Sequence, residues 1–208
     1  MSHALLIGNG QTQPAAFLQK LAAQADLVLA ADGGADRALQ AGVRPDYIIG
    51  DLDSVSPQAK AAVKPKNLIF VDNQNNTDLE KALDWLLARG VTACTLTGFV
   101  GGRWDFTFGN FLSVYPYLAK MEICVAGEGW QIWPLIHSVK KTVRVGARVS
   151  LIPAAQCQQV SLKGLKYPLE NAHLALGKTG LTLSNRAVQP EIEVTFSQGF
   201  LLLYIEEN

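Results

Sequence analysis

Aspartate residues stand at the ends of apolar, strand-like segments in the first half of the chain. These acids are Asp32, Asp51, Asp53, Asp72, Asp78 and Asp105. In an open parallel sheet, ligands bind beyond the carboxyl ends of the strands. Several carboxylates at that edge repel one another unless a cation neutralises them, and hard oxygen ligands with a phosphate partner suit Mg²⁺. The spacing therefore predicts a magnesium site that handles a phosphate-containing substrate.

Two glycine-containing turns accompany these acids. Gly33 and Gly34 follow Asp32, and paired glycines let the backbone approach a phosphate or a base closely. The alternative is an ordinary tight turn between a strand and a helix. Arg103 follows a second glycine-rich turn and offers a rigid fork of donors to phosphate oxygens. Its alternative is a local surface ion pair with Asp105.

Several of the charged residues also have structural explanations. Asp53 can cap the helix that follows it. Asp78 falls in the first turn of a helix, where a negative charge is favourable. Thr77 and Glu80 match a capping box, which predicts that this helix begins at Asp78. Lys81, one turn further on, is either a solvated surface charge or a phosphate ligand.

The elements that must position these residues alternate between strands and helices. The predicted strands of the first half are 4–7, 27–31, 47–49, 68–71, 92–97 and 122–126. The helical patterns between them are 14–24, 35–41, 57–63, 78–89 and 103–119. Apolar runs separated by helices of this length are typical of a parallel sheet with helices on both faces.

The second half of the chain has a different pattern. Short β-rich segments are separated by Gly, Pro or Asn at 139–145, 148–152, 158–162, 173–176, 180–183, 191–195 and 200–205. This spacing favours an antiparallel sandwich. All ten aspartates precede residue 106, which also suggests that the two regions have different functions. We therefore predict an α/β fold in which a parallel-sheet domain (1–127) precedes an antiparallel β-sandwich (128–208).

Composition excludes several classes of function. The 208 residues carry a net charge of zero, so no basic field favours nucleic acid or a membrane surface. No apolar run approaches the roughly 18 residues of a spanning helix. The charged fraction of 17% is low, which suggests that surface is buried against a second copy. Three well-separated cysteines indicate a reducing cytoplasm.

The motifs resemble, in the same order, those of the thiamine pyrophosphokinase family. They are Asp-Gly-Gly-Ala at 32–35, Gly-Asp-Leu-Asp-Ser at 50–54, the segment from Gln74 through Asp78 and Lys81 to Leu83, Gly-Gly-Arg-Trp-Asp at 101–105, and Ser184-Asn185. Segments 149–153 and 164–169 also resemble that family's second domain. The resemblance implies an enzyme that moves a pyrophosphoryl group from ATP to the thiamine hydroxyl, giving thiamine diphosphate and AMP.

The resemblance also implies where each substrate binds. Positions matching Mg²⁺ ligands are Asp51, Asp53, Asp78 and Asp105. Positions matching the ATP site are Asp32, Gly33, Gly34, Gln74, Thr77, Lys81 and Arg103. Positions matching the thiamine site are Tyr167, Ser184 and Asn185. Arg103 and Lys81 are expected to neutralise phosphate charge together with the metal, and Asp78 is expected to orient the thiamine hydroxyl or to accept its proton.

The resemblance further implies a homodimer, in which the β-domain of one subunit completes the site of the other. One position departs from the family pattern, because Phe106 stands where His or Gln is usual. Two other functions remain open on the residues alone. One is a different Mg²⁺-dependent nucleotidyl or phosphoryl transferase, and the other is a sensor that binds thiamine or a nucleotide without catalysis.

Overall fold

A computed structural model describes residues 2–73, 75–177 and 182–206. The chain divides into two compact units, Met1–Glu128 and Gly129–Asn208, here called the N-terminal and C-terminal units. Within the described ranges, the helices are all too short or too polar to cross a bilayer.

Strands and helices alternate through the N-terminal unit. Its strands are β1 (His3–Ile7), β2 (Leu27–Ala31), β3 (Tyr47–Gly50), β4 (Leu68–Phe70), β5 (Ala93–Thr97) and β6 (Glu122–Gly127). Its helices are α1 (Ala15–Ala23), α2 (Gly34–Gln40), α3 (Pro57–Ala62), α4 (Asp78–Leu87) and α5 (Trp104–Ser113). The predicted alternation is therefore confirmed.

The strands of this unit form one parallel sheet in the order β4-β3-β2-β1-β5-β6. Its central strands are buried because they are apolar along their whole length, as at Leu5, Leu29 and Ile48. The chain runs from β1 outward to β4 and then returns to β5 on the other side of β1. The order therefore reverses between β1 and β5, and such a reversal opens a crevice beyond the strand ends.

Helix α4 begins where the sequence predicts. The Thr77 hydroxyl accepts a hydrogen bond from the Glu80 backbone N–H at 3.3 Å, and the Glu80 carboxylate accepts one from the Thr77 N–H at 2.8 Å. The apolar stripe of this helix is buried at Leu79, Leu83 and Leu86. The cap and the stripe together fix Asp78 at the first helical position.

The C-terminal unit consists of two antiparallel sheets. Its strands are β7 (Trp130–Leu135), β8 (Val139–Thr142), β9 (Arg148–Pro153), β10 (Cys157–Lys163), β11 (Leu169–Leu174), β12 (Asn185–Arg186), β13 (Glu191–Thr195) and β14 (Leu201–Glu206). One sheet has the order β12-β9-β14-β7 and the other β11-β10-β13-β8. Leu151 and Leu203 of the first sheet share a core with Val160 and Ile192 of the second. This packing confirms the sandwich.

The structure also differs from the predicted elements in places. Strand β7 has no counterpart among the predicted strands. The helix predicted over 103–119 ends at Ser113, because Pro116 cannot continue the hydrogen-bonded ladder and the chain passes into a 3-10 turn at Tyr115–Tyr117. The strand predicted at 173–176 instead begins at Leu169 and ends at Leu174. Residues 180 and 181 of the strand predicted at 180–183 lie outside the described residues, and residues 182 and 183 form a turn instead of a strand.

Candidate active site

A cavity of about 520 Å³ lies in the N-terminal unit, at the ends of β1 and β5. Its lining residues come from the loops that follow these strands, from the end of β2, from the loop after β3, from the beginning of α4 and from α5: Gly8, Asn9, Gly10, Gln11, Ala31, Asp32, Ser54, Thr77, Asp78, Leu79, Gly98, Phe99, Gly101, Gly102, Arg103, Phe106 and Asn110. The cavity therefore occupies the place where the strand order reverses. Ligands of open α/β sheets bind at this place.

Two loops meet at the floor of this cavity. The Gly10 backbone N–H donates to the Gly98 carbonyl at 2.6 Å, and a Cβ atom on Gly98 would stand 2.4 Å from the Gly8 carbonyl oxygen. Gly98 also has a φ of +72°, a conformation that favours glycine. The loop around Asn9 is not among the residues that the sequence predicts for the site. Two glycines flanking Asn9 directly after a strand were the available signal.

Three carboxylates lie close together beside this cavity. One oxygen of each of Asp32, Asp51 and Asp53 lies within 4.8 Å of the others, and these residues are here called the three-carboxylate cluster. The Asp32 carboxylate accepts a hydrogen bond from the Leu52 N–H at 3.0 Å, so β2 holds the loop that follows β3. The spacing of the acids includes Asp32 among the carboxylates expected at this edge, whereas the family resemblance places it in the ATP site and not among the metal ligands. The structure brings it together with Asp51 and Asp53.

Burial and mutual repulsion disfavour the charged form of carboxylates in this cluster. Burial, reinforced by the charge of Asp78, raises the pKa of Asp32 from 3.8 to about 6. The hydrogen bond and negative charge of Asp51 raise the pKa of Asp53, whereas the Asp53 backbone N–H lowers that of Asp51. A divalent cation among these oxygens would offset the repulsion.

Asp78 and Asp105 lie outside the three-carboxylate cluster, although the sequence analysis counted both as metal ligands. The Asp78 carboxylate pairs with the Lys81 ammonium at 3.1 Å, and only 5% of the Lys81 side chain is exposed. The surface alternative for Lys81 is therefore wrong. Asp78 still lines the cavity and is close enough to Asp32 to raise its pKa.

Arg103 and Asp105 form the local ion pair that the sequence left as an alternative. The Arg103 Nε donates to the Asp105 carboxylate at 3.2 Å, and a second guanidinium nitrogen does the same. This guanidinium lowers the pKa of Asp105. The Arg103 guanidinium carbon also lies 4.3 Å from the centre of the Phe106 ring. At Phe106, a cation–π contact thus stands where the family usually has a polar side chain.

The remaining candidate residues of the ATP site do not all line the same cavity. Thr77 lines the cavity and caps α4. Gly34 is buried, and a Cβ atom there would stand 2.2 Å from the Ile7 carbonyl oxygen, so this glycine allows α2 to pack against β1. Gly33 lines a second cavity of about 560 Å³, together with Arg37. Gln74 lies outside the described residues.

The candidates for thiamine binding lie in the C-terminal unit. The Tyr167 side chain is exposed, and so is Ser184, which has a positive φ of 58°. Asn185, in contrast, is 3% exposed. Its side-chain amide hydrogen-bonds both the backbone N–H and the backbone carbonyl of Tyr167. The structure therefore brings Tyr167 and Asn185 together, but it presents only Tyr167 and Ser184 to solvent.

Two family models and a curated relative show which family the chain belongs to. Residues 18–125 match the family model described as "Thiamin pyrophosphokinase, catalytic domain", and residues 136–201 match "Thiamin pyrophosphokinase, vitamin B1 binding domain". The chain is 28% identical over 184 residues to the thiamine pyrophosphokinase of Bacillus subtilis, covering 85% of this chain and 86% of that protein.

Solved structures show the same similarity. A crystal structure of the Bacillus subtilis thiamine pyrophosphokinase has a TM-score of 0.84 and 25% identity, with all of both chains covered. That of the Geobacillus thermodenitrificans thiamin pyrophosphokinase has a TM-score of 0.85 and 27% identity, covering 100% of this chain and 98% of that one.

Proposed function

Because the chain belongs to the thiamin pyrophosphokinase family, it is an enzyme that transfers the pyrophosphoryl group of ATP to thiamine, and we propose that its three-carboxylate cluster holds the Mg²⁺ for this reaction. The observation that carries the proposal is the approach of Asp32, Asp51 and Asp53 to within 4.8 Å of one another. All the donors are carboxylate oxygens, which is the donor chemistry that Mg²⁺ prefers.

The reaction places two demands on the protein. The thiamine hydroxyl must be held in line with the β-phosphorus of ATP, and the charge on the phosphates must be neutralised. When bound, Mg²⁺ supplies positive charge at the phosphate oxygens. The protein's own contribution is to position both substrates and to handle the proton of the hydroxyl.

Asp78 is the residue that we assign to the thiamine hydroxyl. It lines the cavity next to the three-carboxylate cluster, and 44% of its side chain is exposed. The buried Lys81 ammonium fixes one of its oxygens, which leaves the other free to orient the hydroxyl or to accept its proton. Lys81 then acts through Asp78 instead of binding phosphate directly.

ATP fits the cavity through two kinds of contact. Phe99 and Phe106 give the cavity apolar surface that suits the adenine ring. Arg103 lines the same cavity and can exchange its contact with Asp105 for phosphate oxygens, because both anions accept the same planar fork of donors. Asp105 in this proposal orients Arg103 and is not a metal ligand.

Thiamine binding is assigned to the C-terminal unit. The exposed Tyr167 ring offers a face to the cationic thiazolium, and Ser184 offers an exposed hydroxyl. We propose a homodimer in which the C-terminal unit of one subunit completes the site of the other. The exposed apolar residues of α5, namely Trp104, Phe108 and Leu112, repeat every four positions and support this assembly.

A cytoplasmic location is part of the same proposal. Cys94, Cys124 and Cys157 are buried, and none of them forms a disulfide bond. A protein without disulfides among its cysteines suits a reducing compartment.

Substitution within the cluster tests the metal assignment. Asp53→Asn is expected to lower turnover about 100-fold or more, because a metal ligand is lost, without lowering the melting temperature. The melting temperature is maintained because the substitution relieves repulsion from Asp51. Asp72→Asn is the matched control, since Asp72 is an exposed aspartate after β4 that is not part of the cluster.

The metal itself is measured by titrating Mg²⁺ calorimetrically into protein treated with a chelator, in the presence of a non-hydrolysable ATP analogue. Wild type and Asp72→Asn should bind Mg²⁺, and Asp53→Asn should bind it at least tenfold more weakly. Near-normal turnover and Mg²⁺ binding in Asp53→Asn would contradict the assignment.

A further inference from the structure

We propose that Asn185 serves the thiamine subsite as a positioning residue, by holding the backbone of Tyr167, and does not itself contact the substrate. The proposal rests on the proposed function, which places Tyr167 against thiamine. It changes the role that the family resemblance implies for Asn185.

The side chain of Asn185 acts as the hydrogen-bonding partner of Tyr167. The Tyr167 backbone N–H donates to Asn185 Oδ1 at 3.0 Å, and Asn185 Nδ2 donates to the Tyr167 carbonyl at 2.6 Å. A strand would pair with Tyr167 through the same two backbone groups. One amide group thus satisfies both backbone polar groups of Tyr167.

This amide group has little capacity left for a ligand. Asn185 Oδ1 also accepts from the Arg186 N–H at 2.9 Å, so both of its lone pairs are used. Of the two Nδ2 hydrogens, one is committed to Tyr167. The residue is also 3% exposed, whereas 59% of Tyr167 is exposed. A thiamine molecule that reaches the Tyr167 ring therefore meets Tyr167 and not Asn185.

The surrounding chain explains why Tyr167 needs such a clamp. Leu165 forms an isolated bridge with Ala187, and the Lys166 N–H donates to the Arg186 carbonyl at 2.8 Å, so regular backbone pairing stops one residue before Tyr167. The next residue, Pro168, has no N–H to donate and biases Tyr167 towards an extended conformation. The Asn185 side chain thereby extends the pairing by one position and fixes the base of the exposed ring.

A double-mutant cycle tests the proposal. The variants are Asn185→Ala, Tyr167→Ala and the double variant, and the measured quantities are the KM values for thiamine and ATP. Loss of the aromatic contact should raise the KM for thiamine about five- to tenfold in each single variant, with the KM for ATP unchanged. The double variant should match Tyr167→Ala within about twofold, because Asn185 acts only through Tyr167.

The matched control is Ser161→Ala. The Ser161 hydroxyl accepts a hydrogen bond from the Asn171 N–H at 3.0 Å, so this variant removes a comparable side-chain clamp elsewhere in the same unit. Its KM for thiamine should equal that of wild type. A comparable rise in this control would show that the effect of Asn185→Ala is general, and would overturn the proposal.

The other outcomes are equally decisive. If Asn185 contacts thiamine directly, its removal will weaken binding even without Tyr167, and the effects in the double variant will multiply to about 25-fold or more. An unchanged KM for thiamine in either single variant overturns the proposal as well. The proposal requires both that Tyr167 contacts thiamine and that Asn185 holds Tyr167 in place.

Hydrogen exchange at the Tyr167 amide gives a readout independent of catalysis. This amide should exchange slowly in wild type and at least tenfold faster in Asn185→Ala, or in Asn185→Leu if the alanine variant does not fold, because either change removes the oxygen that accepts from the Tyr167 N–H. Unchanged exchange overturns the clamp. Failure of wild type to form thiamine diphosphate would instead refute the proposed function, and the exchange result would still decide whether Asn185 holds Tyr167.

Discussion

Asp32 combines a carboxyl group, burial and a positive φ of 45° in a single residue. Non-glycine residues in this conformation are strained, and such strain persists only where the surrounding structure enforces it. Gly50 leaves room for the carboxyl group, because a Cβ atom there would stand 2.4 Å from an Asp32 carboxyl oxygen. The fold thus places a charge where charge is unfavourable, which is the arrangement expected when a cation completes the site.

The raised pKa of Asp32 predicts how stability depends on pH. The folded protein holds this proton up to about pH 6, whereas the unfolded chain releases it near 3.8. The favourable contribution of the protonated Asp32 carboxyl group to the free energy of unfolding is therefore complete below pH 3.8. It is lost as the pH rises to about 6. At one pKa unit per 1.36 kcal/mol, the loss is at most about 3 kcal/mol.

Asp32→Asn removes this penalty. In the presence of a chelator at pH 7, the variant should melt several degrees higher than wild type, and near pH 4 the two should melt together. Added Mg²⁺ should stabilise wild type only. Melting curves recorded across this pH range measure both effects, and equal melting temperatures at pH 7 would contradict the strained carboxylate.

Sequence reasoning identified the acids of the site but not their partners. Asp51 and Asp53 stood out because two carboxylates at a strand end have few structural uses. The partner of Asp105 could not be decided, since Arg103 two positions earlier is equally consistent with a phosphate ligand and with an ion pair. Asn185 carried no signal for its clamp, because that role depends on Tyr167, which is distant in the sequence.

At the level of elements, the N-terminus of α4 connects the fold to the chemistry. The capping box of Thr77 and Glu80 fixes the first turn, and Asp78 is the first residue of that turn. Its ion pair with Lys81 spans one turn of the same helix. A change at the cap should therefore affect both stability and the position of Asp78.

Thr77→Ala should lower the free energy of unfolding by about 1 kcal/mol, because the Glu80 N–H loses its acceptor. Thr77→Ser keeps the hydroxyl and is the control, with an expected loss below about 0.5 kcal/mol. Chemical denaturation at constant pH measures both values. A loss in Thr77→Ser as large as that in Thr77→Ala would show that the hydroxyl is not the stabilising group.

Elements with a clear apolar period were predictable, and those set by tertiary packing were not. Strand β2 was predicted at its observed bounds, because Leu27–Ala31 is a continuous apolar run. Strand β7 was not predicted, since Trp130, Gln131 and Pro134 interrupt any simple alternation. Its place is fixed by antiparallel pairing with β14.

At the level of the whole molecule, the acidic residues and the candidate thiamine residues lie in different units. The three-carboxylate cluster belongs to the N-terminal unit, and Tyr167 and Ser184 belong to the C-terminal unit. The proposed homodimer brings one unit of each kind to every site. Neither subunit then holds a complete site by itself.

Mixed dimers of Asp78→Asn and Ser184→Ala test this division. Each homodimer should be severely impaired. In a mixed dimer, one shared site takes both changes and the other takes neither. Random reassembly of equal amounts makes about half of the dimers mixed, so about a quarter of wild-type activity should return. Recovery of nothing beyond the parents' activity, with subunit exchange confirmed, would contradict the shared site.

The most direct test of the account is to identify the products of the reaction. Purified protein is incubated with ATP, thiamine and Mg²⁺, and the phosphorus-containing products are resolved by ³¹P NMR. Thiamine diphosphate and AMP should appear in equal amounts with wild type and with Asp72→Asn, and neither should accumulate with Asp53→Asn or in excess chelator. ADP with thiamine monophosphate would indicate simple phosphoryl transfer, and free pyrophosphate would indicate nucleotidyl transfer; either result would contradict the account.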